Sequence, residues 1–203
     1  QTQLSVDIVK VVEGTGGGST NAVLTVTLGG APAPGGAVTL DYASAAGSAA
    51  SGVDFTAANG SLSFNNGSAL TQTVSVPVTR DNIDESDESF TLALSNAVNA
   101  QIQVSPGTAT IQDDDTAVVS INNVSQNEGS AGAAPMNFTV SLSVPAASSR
   151  FFGAFTADGT AQQPADYIAL PLGPTTVVFA PGEISKTVPV QINGDTLVEA
   201  DET

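Results

Sequence analysis

Apolar and polar residues alternate along most of the chain with a period of two. Leu24, Val26 and Leu28 are separated by threonines, and Val74 and Val76 begin a similar run. Successive side chains of a β-strand point to opposite faces, so this alternation predicts strands with one buried face. No segment shows a convincing helical period.

Glycine, proline and asparagine separate the alternating segments at intervals typical of a β-sandwich. Seven short strands within about a hundred residues favour an all-β, immunoglobulin-like, seven-stranded sandwich. In the first part of the chain the predicted strands lie near residues 4–12, 22–28, 36–43, 61–65, 71–79, 89–95 and 107–112. The later part of the chain supplies five more strands.

The chain contains two copies of one pattern. Glu13-Gly14 returns as Glu128-Gly129, and Val53-Asp54-Phe55 returns as Ala165-Asp166-Tyr167. The offset between matching positions stays between 112 and 115 residues. A register held over so many positions indicates a tandem repeat of one structural unit.

The repeat predicts two domains, residues 1–115 and 116–203. Residues 89–116, which carry two strands in the first copy, have no counterpart in the second. We therefore predict that the second sandwich lacks its last two strands, which exposes a sheet edge to pairing with another chain. Either the protein continues beyond this sequence, or another subunit supplies the strands by complementation, with the β-prone residues 1–12 as a candidate donor.

The charge of the chain is strongly negative, with 4 basic and 20 acidic residues and a formal net charge of -16. Nucleic-acid binding needs a basic surface, so we expect no nucleic-acid partner. An anionic membrane surface is an equally poor partner. Because no run of 18 apolar residues exists, we also expect no direct membrane insertion. Cations are the partners that this charge favours.

More than half of the acidic residues lie in three short segments, 81–88, 113–115 and 195–202. Carboxylates this close repel one another unless they are solvated, protonated or bound to a metal. Calcium takes oxygen ligands from carboxylates and carbonyls, and loops at one end of a sandwich can bring such segments together. We expect calcium sites of weak affinity, with dissociation constants of about 10⁻⁴–10⁻³ M. Solvated surface turns and a polar linker are the alternative interpretation.

Several segments of both copies, taken together, resemble the Calx-beta domain family. In the first copy they are Asp54-Phe55, Gly60–Phe64, Asp81–Asn96 and Ala109–Asp115. In the second copy they are Thr156–Ala161, Asp166-Tyr167, Val178–Glu183 and Asp195–Thr203. The resemblance covers nearly the whole chain and implies seven-stranded sandwiches that bind calcium at one end.

The resemblance also implies a set of metal ligands, drawn from the first strand, the loop before the Asp-Tyr motif, the acidic loop and the terminal Asp run. The first copy offers Glu13, Asp81, Glu85, Glu88, Asp113, Asp114 and Asp115. The second copy offers Glu128, Asp158, Asp195, Glu199 and Glu202.

Other roles are open to some acidic residues. Glu13 and Glu128 each precede a glycine and can be ordinary turn residues. Asp54 and Asp166 are expected to hold turns through side-chain-to-backbone hydrogen bonds rather than to bind metal.

The first copy departs from the family pattern at two positions. Ala46 stands where the family often has an aspartate, and Arg80 stands where a second aspartate often precedes Asp81. An arginine there partly neutralises the acidic residues and lowers the expected number of ions.

Few of the residue types that usually carry out catalysis are present, because the chain contains neither His nor Cys. The usual bases and thiol nucleophiles are therefore missing. Paired carboxylates can cleave a glycoside, but the acidic segments match the calcium pattern better, so we predict no catalysis.

The sequence favours structural and adhesive repeat modules of a secreted surface, adhesin or filament protein. We expect an extracellular or cell-surface location, with calcium stiffening the modules and their junction. The expected partners are calcium and neighbouring modules or copies of the chain. The alternatives are a calcium-sensing regulatory module of a larger membrane protein and an accessory module of a large secreted enzyme.

Overall fold

The computed structural model describes residues 2–170 and 175–203, and their regular structure is entirely β. The chain forms two compact units, a first unit that ends at Asp115 and a second unit that begins at Thr116. No helix able to cross a membrane occurs in these residues. The all-β sandwich class predicted from the alternation is confirmed.

The first unit is a sandwich of two sheets. Its strands are β1 Thr2–Val6, β2 Val9–Val12, β3 Ser19–Leu28, β4 Ala37–Ala46, β5 Asn59–Asn65, β6 Thr71–Thr79, β7 Glu88–Val98, β8 Ala100–Val104 and β9 Gly107–Gln112. A four-stranded sheet has the order β6-β3-β1-β8, and a five-stranded sheet has the order β2-β9-β7-β4-β5.

The predicted first strand, 4–12, is two strands that belong to different sheets. β1 pairs with β3 and β8, whereas β2 pairs in parallel with β9. Asp7 lies at the crossing, where its N–H donates to the Thr25 carbonyl at 3.2 Å and its Oδ1 accepts the Thr25 N–H at 2.8 Å. The described residues of the first unit therefore form nine strands rather than the predicted seven, with β8 as the other addition.

Apolar side chains from both sheets fill the first core. The alternating residues of β3 and β6 are buried there, as the pattern predicted. Phe55 and Phe90 stack with ring centroids 4.5 Å apart and planes 15° from parallel. Each of these phenylalanines directly follows a segment with acidic residues, so the core fixes the position of both segments.

The strands of the second unit are β10 Val119–Ile121, β11 Gly132–Leu142, β12 Arg150–Ala154, β13 Tyr167–Ile168, β14 Thr175–Phe179 and β15 Ser185–Gly194. They form a four-stranded sheet of order β10-β11-β15-β13 and a separate pair, β12-β14. The core of this unit is smaller and contains Val140, Phe179 and Val188, with Phe152 edge-to-face against Phe179 at a centroid distance of 5.9 Å.

The pair β12-β14 corresponds by position in the repeat to β4-β5 of the first unit. In the first unit β4 also pairs with β7, which pairs in turn with β9. Among the described residues of the second unit, no strand takes the place of β7 or β9. The described residues of this unit form six strands, which are the five predicted ones and the two-residue strand β13.

Candidate metal centre

Parallel strands bring the first acidic residues together. β2 and β9 run side by side in the same direction, with Val12 opposite Gln112. Glu13 and Asp113 follow these two residues and therefore leave the sheet at the same end. The Glu13 N–H continues the pairing by donating to the Gln112 carbonyl at 3.1 Å.

Asp81 reaches the same place from the end of β6. It forms a parallel bridge with Thr15, and its carbonyl accepts the Gly16 N–H at 2.8 Å. Carboxylate oxygens of Glu13, Asp81 and Asp115 all lie within 4.8 Å of one another. We call these three residues the Glu13 group.

The oxygens around this group are buried without hydrogen-bond donors. Glu13 is only 5% exposed. In the part of the chain that the structure describes, Glu13 Oε1, Asp113 Oδ1 and Asp115 Oδ2 are buried and have no hydrogen-bond partner. Buried polar atoms are normally paired, so three orphaned carboxylate oxygens fit a cation and do not fit a solvated turn.

Burial and mutual repulsion raise the pKa values of these carboxyls. Burial is the main cause that raises the pKa of Glu13 to about 7, and the charges of Asp81 and Asp113 add to it. The pKa values of Asp113 and Asp115 are also raised, again mainly by burial. Without a cation, the site therefore disfavours its own ionised form.

A second cluster, the Asp54 group, consists of Asp54, Glu85 and Glu88, whose oxygens also lie within 4.8 Å of one another. Glu88 begins β7, and Asp54 precedes the buried Phe55. Burial is the main cause that raises the pKa of Glu88 to about 7, and the interaction with Asp54 is the second cause.

Glu85 links the two groups. Its pKa is raised first by burial, then by the charge of Asp81 from the Glu13 group and by that of Asp54. Asp113 contributes in the same direction. The two groups therefore form one acidic patch at one end of the first unit.

Asp114 and Asp87 hold the backbone of this patch in place. Asp114 Oδ1 accepts the Gly14 N–H at 3.0 Å, which fixes the turn that follows Glu13. The Asp113 N–H donates to Asp87 Oδ1 at 3.3 Å. The predicted ligand Asp114 thus lies beside the Glu13 group without being one of its three members.

The second unit repeats the Asp54 group. Asp166, Glu199 and Glu202 place carboxylate oxygens within 4.8 Å of one another; we call them the Asp166 group. Both glutamates are exposed, and their pKa values are raised by partial desolvation and by neighbouring charges, among them those of Asp166 and Glu128. Glu128 is therefore near this group.

Two other predicted ligands of the second unit make hydrogen bonds of their own. Asp158 Oδ1 accepts the Tyr167 hydroxyl at 2.6 Å and the Gln163 N–H at 3.1 Å. Asp195 Oδ1 accepts the Leu197 N–H at 2.6 Å. In the described ranges, neither residue joins a cluster of three acidic side chains.

The sequence predicts that Asp54 and Asp166 hold turns rather than bind metal. The expected turn hydrogen bonds exist, since Asp54 Oδ2 accepts the Ala50 N–H and Asp166 Oδ2 accepts the Gln162 N–H, both at 2.6 Å. The same carboxylates also belong to the acidic groups. Their identical place in both copies was the signal for this second role.

Arg80 packs against the turn beside the Glu13 group. Its Nη2 donates to the Thr15 carbonyl at 2.8 Å, and its Nε lies 3.0 Å from where a side chain on Gly14 would begin. In the second unit the matching residue is Gly194, which lies close to the backbone of Glu128. The two units therefore differ in fixed positive charge at this point.

The sequence model of the Calx-beta domain matches the chain twice, over residues 3–117 and 112–203. Among solved structures, the chain is similar to CBD12 from CALX1.2, with 22% identity, a TM-score of 0.49, and coverage of 94% of this chain and 75% of that one. The calcium binding domain CBD12 of CALX1.1 gives 20% identity, a TM-score of 0.48, and coverage of 96% and 76%. No curated protein matches the chain in sequence.

Proposed function

Because the chain belongs to the Calx-beta family, we propose that its two units are calcium-binding modules that stiffen a secreted surface, adhesin or filament protein. The cofactor of these modules is calcium. The observation that supports the proposal best is the set of buried, unpartnered oxygens of Glu13, Asp113 and Asp115. Calcium accepts such hard oxygen ligands and would neutralise the repulsion among them.

The residues that would hold calcium in the first unit are those of the Glu13 and Asp54 groups, with Asp113 beside them. In the second unit the Asp166 group would hold it, with Glu128 and Asp195 as nearby acidic residues. The ion supplies positive charge and coordination. The chain supplies loops whose ends are already fixed by strand pairing and by the hydrogen bonds of Asp114, Asp54 and Asp166.

The proposed stiffening acts where the first unit leads into the second. Asp113 to Asp115 directly precede Thr116, the first residue of the second unit. An ion held by these residues would link the last residues of the first unit to Glu13 and Asp81. Fewer unrestrained residues would then remain between the two units. An extracellular or cell-surface location, where calcium is abundant, suits weak sites of this kind.

Calorimetric titration with calcium, combined with melting in calcium and in chelator, tests the function. An ion that binds only the folded state raises its melting temperature. Small-angle scattering then separates stiffening from sensing: stiffening narrows the distribution of distances between units, whereas sensing moves them to a new mean distance. No binding heat and no melting shift at millimolar calcium would falsify the proposal.

We further propose that the open face of the second unit accepts two strands like β7 and β9, from continuing chain or from another copy. Phe152, Val177 and Val188 belong to the core of this unit, whereas Phe151 on β12 and Phe155 just after it are 66% and 77% exposed. Light scattering, which measures the mass of the particle, distinguishes the two sources. Complementation between copies gives oligomers, and a peptide of residues 86–112, which contains β7 and β9, should dissociate them by taking the place of the donated strands. A monomer that does not bind this peptide contradicts the proposal.

A further inference from the structure

The loop between β4 and β5 holds the end of the acidic loop of the first unit. Ser48 Oγ accepts the Ser89 N–H at 2.9 Å. The next residue, Ala49, donates its N–H to the Ser89 carbonyl at 2.9 Å. Both polar groups of the Ser89 backbone are thus bound by two adjacent residues of another loop.

The second unit makes the same pair of bonds at the matching positions. Thr160 Oγ1 accepts the Thr203 N–H at 2.7 Å. Ala161 donates its N–H to the main-chain oxygen of Thr203 at 3.2 Å. A serine in one unit and a threonine in the other share only the hydroxyl, which indicates that the hydroxyl is what this position requires.

A glycine precedes the hydroxyl residue in both units and permits the close approach. A Cβ on Gly47 would lie 2.5 Å from the Ser89 carbonyl oxygen, too near for any real side chain. A Cβ on Gly159 would collide with the main-chain oxygen of Thr203 in the same way. We call this Gly-Ser/Thr-Ala segment, residues 47–49 and 159–161, the clamp.

The clamp lies next to two members of the Asp54 group, Asp54 and Glu88. Ser89 directly follows Glu88, so the clamp fixes the backbone that carries that carboxylate. One residue beyond the clamp, the Ala50 N–H donates to Asp54 Oδ2 at 2.6 Å. A single short loop therefore positions both Asp54 and Glu88, although they arrive from different parts of the chain.

We propose that the hydroxyls of Ser48 and Thr160 are positioning groups for calcium, holding Glu88 opposite Asp54 and Glu202 opposite Asp166. This inference rests on the calcium function proposed above. Two like charges separate unless their backbones are held, and an ion that must first bring them together binds more weakly. The hydroxyl contributes by keeping the carboxylates together before the ion arrives.

The test uses the full chain carrying Glu199→Gln and Glu202→Gln, so that calcium binds the acidic groups of the first unit alone. In this parent, Ser48→Ala should weaken calcium affinity by about two- to tenfold, the range for one lost hydrogen bond. Ser48→Thr, which keeps the hydroxyl of the second unit, should retain the parent affinity. In chelator, hydrogen exchange at the Ser89 amide should accelerate in Ser48→Ala only.

Ser68→Ala is the matched control. Ser68 also accepts a backbone N–H, that of Asn65 at 3.0 Å, but it lies in the β5–β6 turn at the opposite end of the unit. Its loss should leave calcium affinity unchanged. Equal affinities in the parent and Ser48→Ala, or equal losses in Ser48→Ala and Ser48→Thr, overturn the role of the hydroxyl. A parent that gives no calcium heat overturns the calcium function and this role together.

Discussion

The carboxylates of Asp54 and Glu88 approach each other within 4.8 Å at one end of the first unit. Burial and the nearby Asp54 raise the pKa of Glu88 to about 7, so this carboxyl takes up a proton more readily than a free glutamate does. Ion and proton therefore compete for the same oxygens.

This competition sets the pH dependence of the calcium-free protein. Burial and neighbouring charges raise the pKa values of Glu13 and Glu88 from 4.5 to about 7. The folded state therefore binds more protons than the unfolded state, and the resulting stability, complete below about pH 4.5, is lost as pH rises through 7. Melting in chelator should give a higher transition temperature at pH 5 than at pH 8. A melting temperature that increases from pH 5 to pH 8 would contradict these raised pKa values. The double variant Glu13→Gln, Glu88→Gln should show a weaker dependence of melting temperature on pH.

Calcium binding should require the Asp54 group. Glu85→Gln with Glu88→Gln changes each side chain little in size but removes two charges from this group, so calorimetry should lose the heat that belongs to the Asp54 group. Asp41→Asn is the control, because Asp41 accepts the Asn96 side-chain N–H at 2.8 Å on β4 and belongs to none of the acidic groups. Calcium heat that survives in the double variant would show that the group is not a ligand set.

Glu13 should lower the stability of the calcium-free protein and contribute to calcium binding. In chelator at pH 8, Glu13→Gln removes a buried charge and should stabilise the protein by on the order of 2 kcal/mol, since one pKa unit corresponds to about 1.4 kcal/mol. In calcium the same variant should melt below wild type, because an ion ligand is lost. Denaturant unfolding under both conditions measures this crossover, and a variant less stable in both would indicate a purely structural role.

Arg80 should limit the number of ions in the first unit. Arg80→Asp replaces a guanidinium that donates to the Thr15 carbonyl with the residue that the family often has there. Extra repulsion should lower the melting temperature in chelator, whereas calcium should produce a larger stabilisation and a higher ion count in calorimetry. Arg80→Gln, which removes the positive charge without adding a ligand, should not raise the ion count.

Alternation and the internal repeat predicted most of the fold because burial decides them directly. The division of residues 4–12 into two strands is visible as a change of phase: the buried positions are even at Leu4 and Val6, but the core-packing positions are odd at Val9 and Val11. β8 also alternates, with Ala100, Ile102 and Val104 separated by glutamines, but only Ala100 is buried, and the strand exists through pairing with β1.

The acidic segments were visible in the sequence, but their division into groups was not. Which carboxylates meet depends on strand ends that the chain brings together from distant positions, such as β2, β6 and β9 for the Glu13 group. Asp54 was predicted as a turn residue because one of its oxygens has that role. The carboxylate of Asp54 lies near Glu85 and Glu88 because the core stacks the next residue, Phe55, against Phe90.

The parallel pairing of β2 with β9 has a mechanical consequence. β2 lies near the beginning of the first unit and β9 at its end, and these strands lie side by side in the same direction. Tension that reaches them along the chain therefore pulls them in opposite directions along their shared length. Their hydrogen bonds bear this load together rather than opening one at a time, which is the geometry in which a pair of strands resists force best.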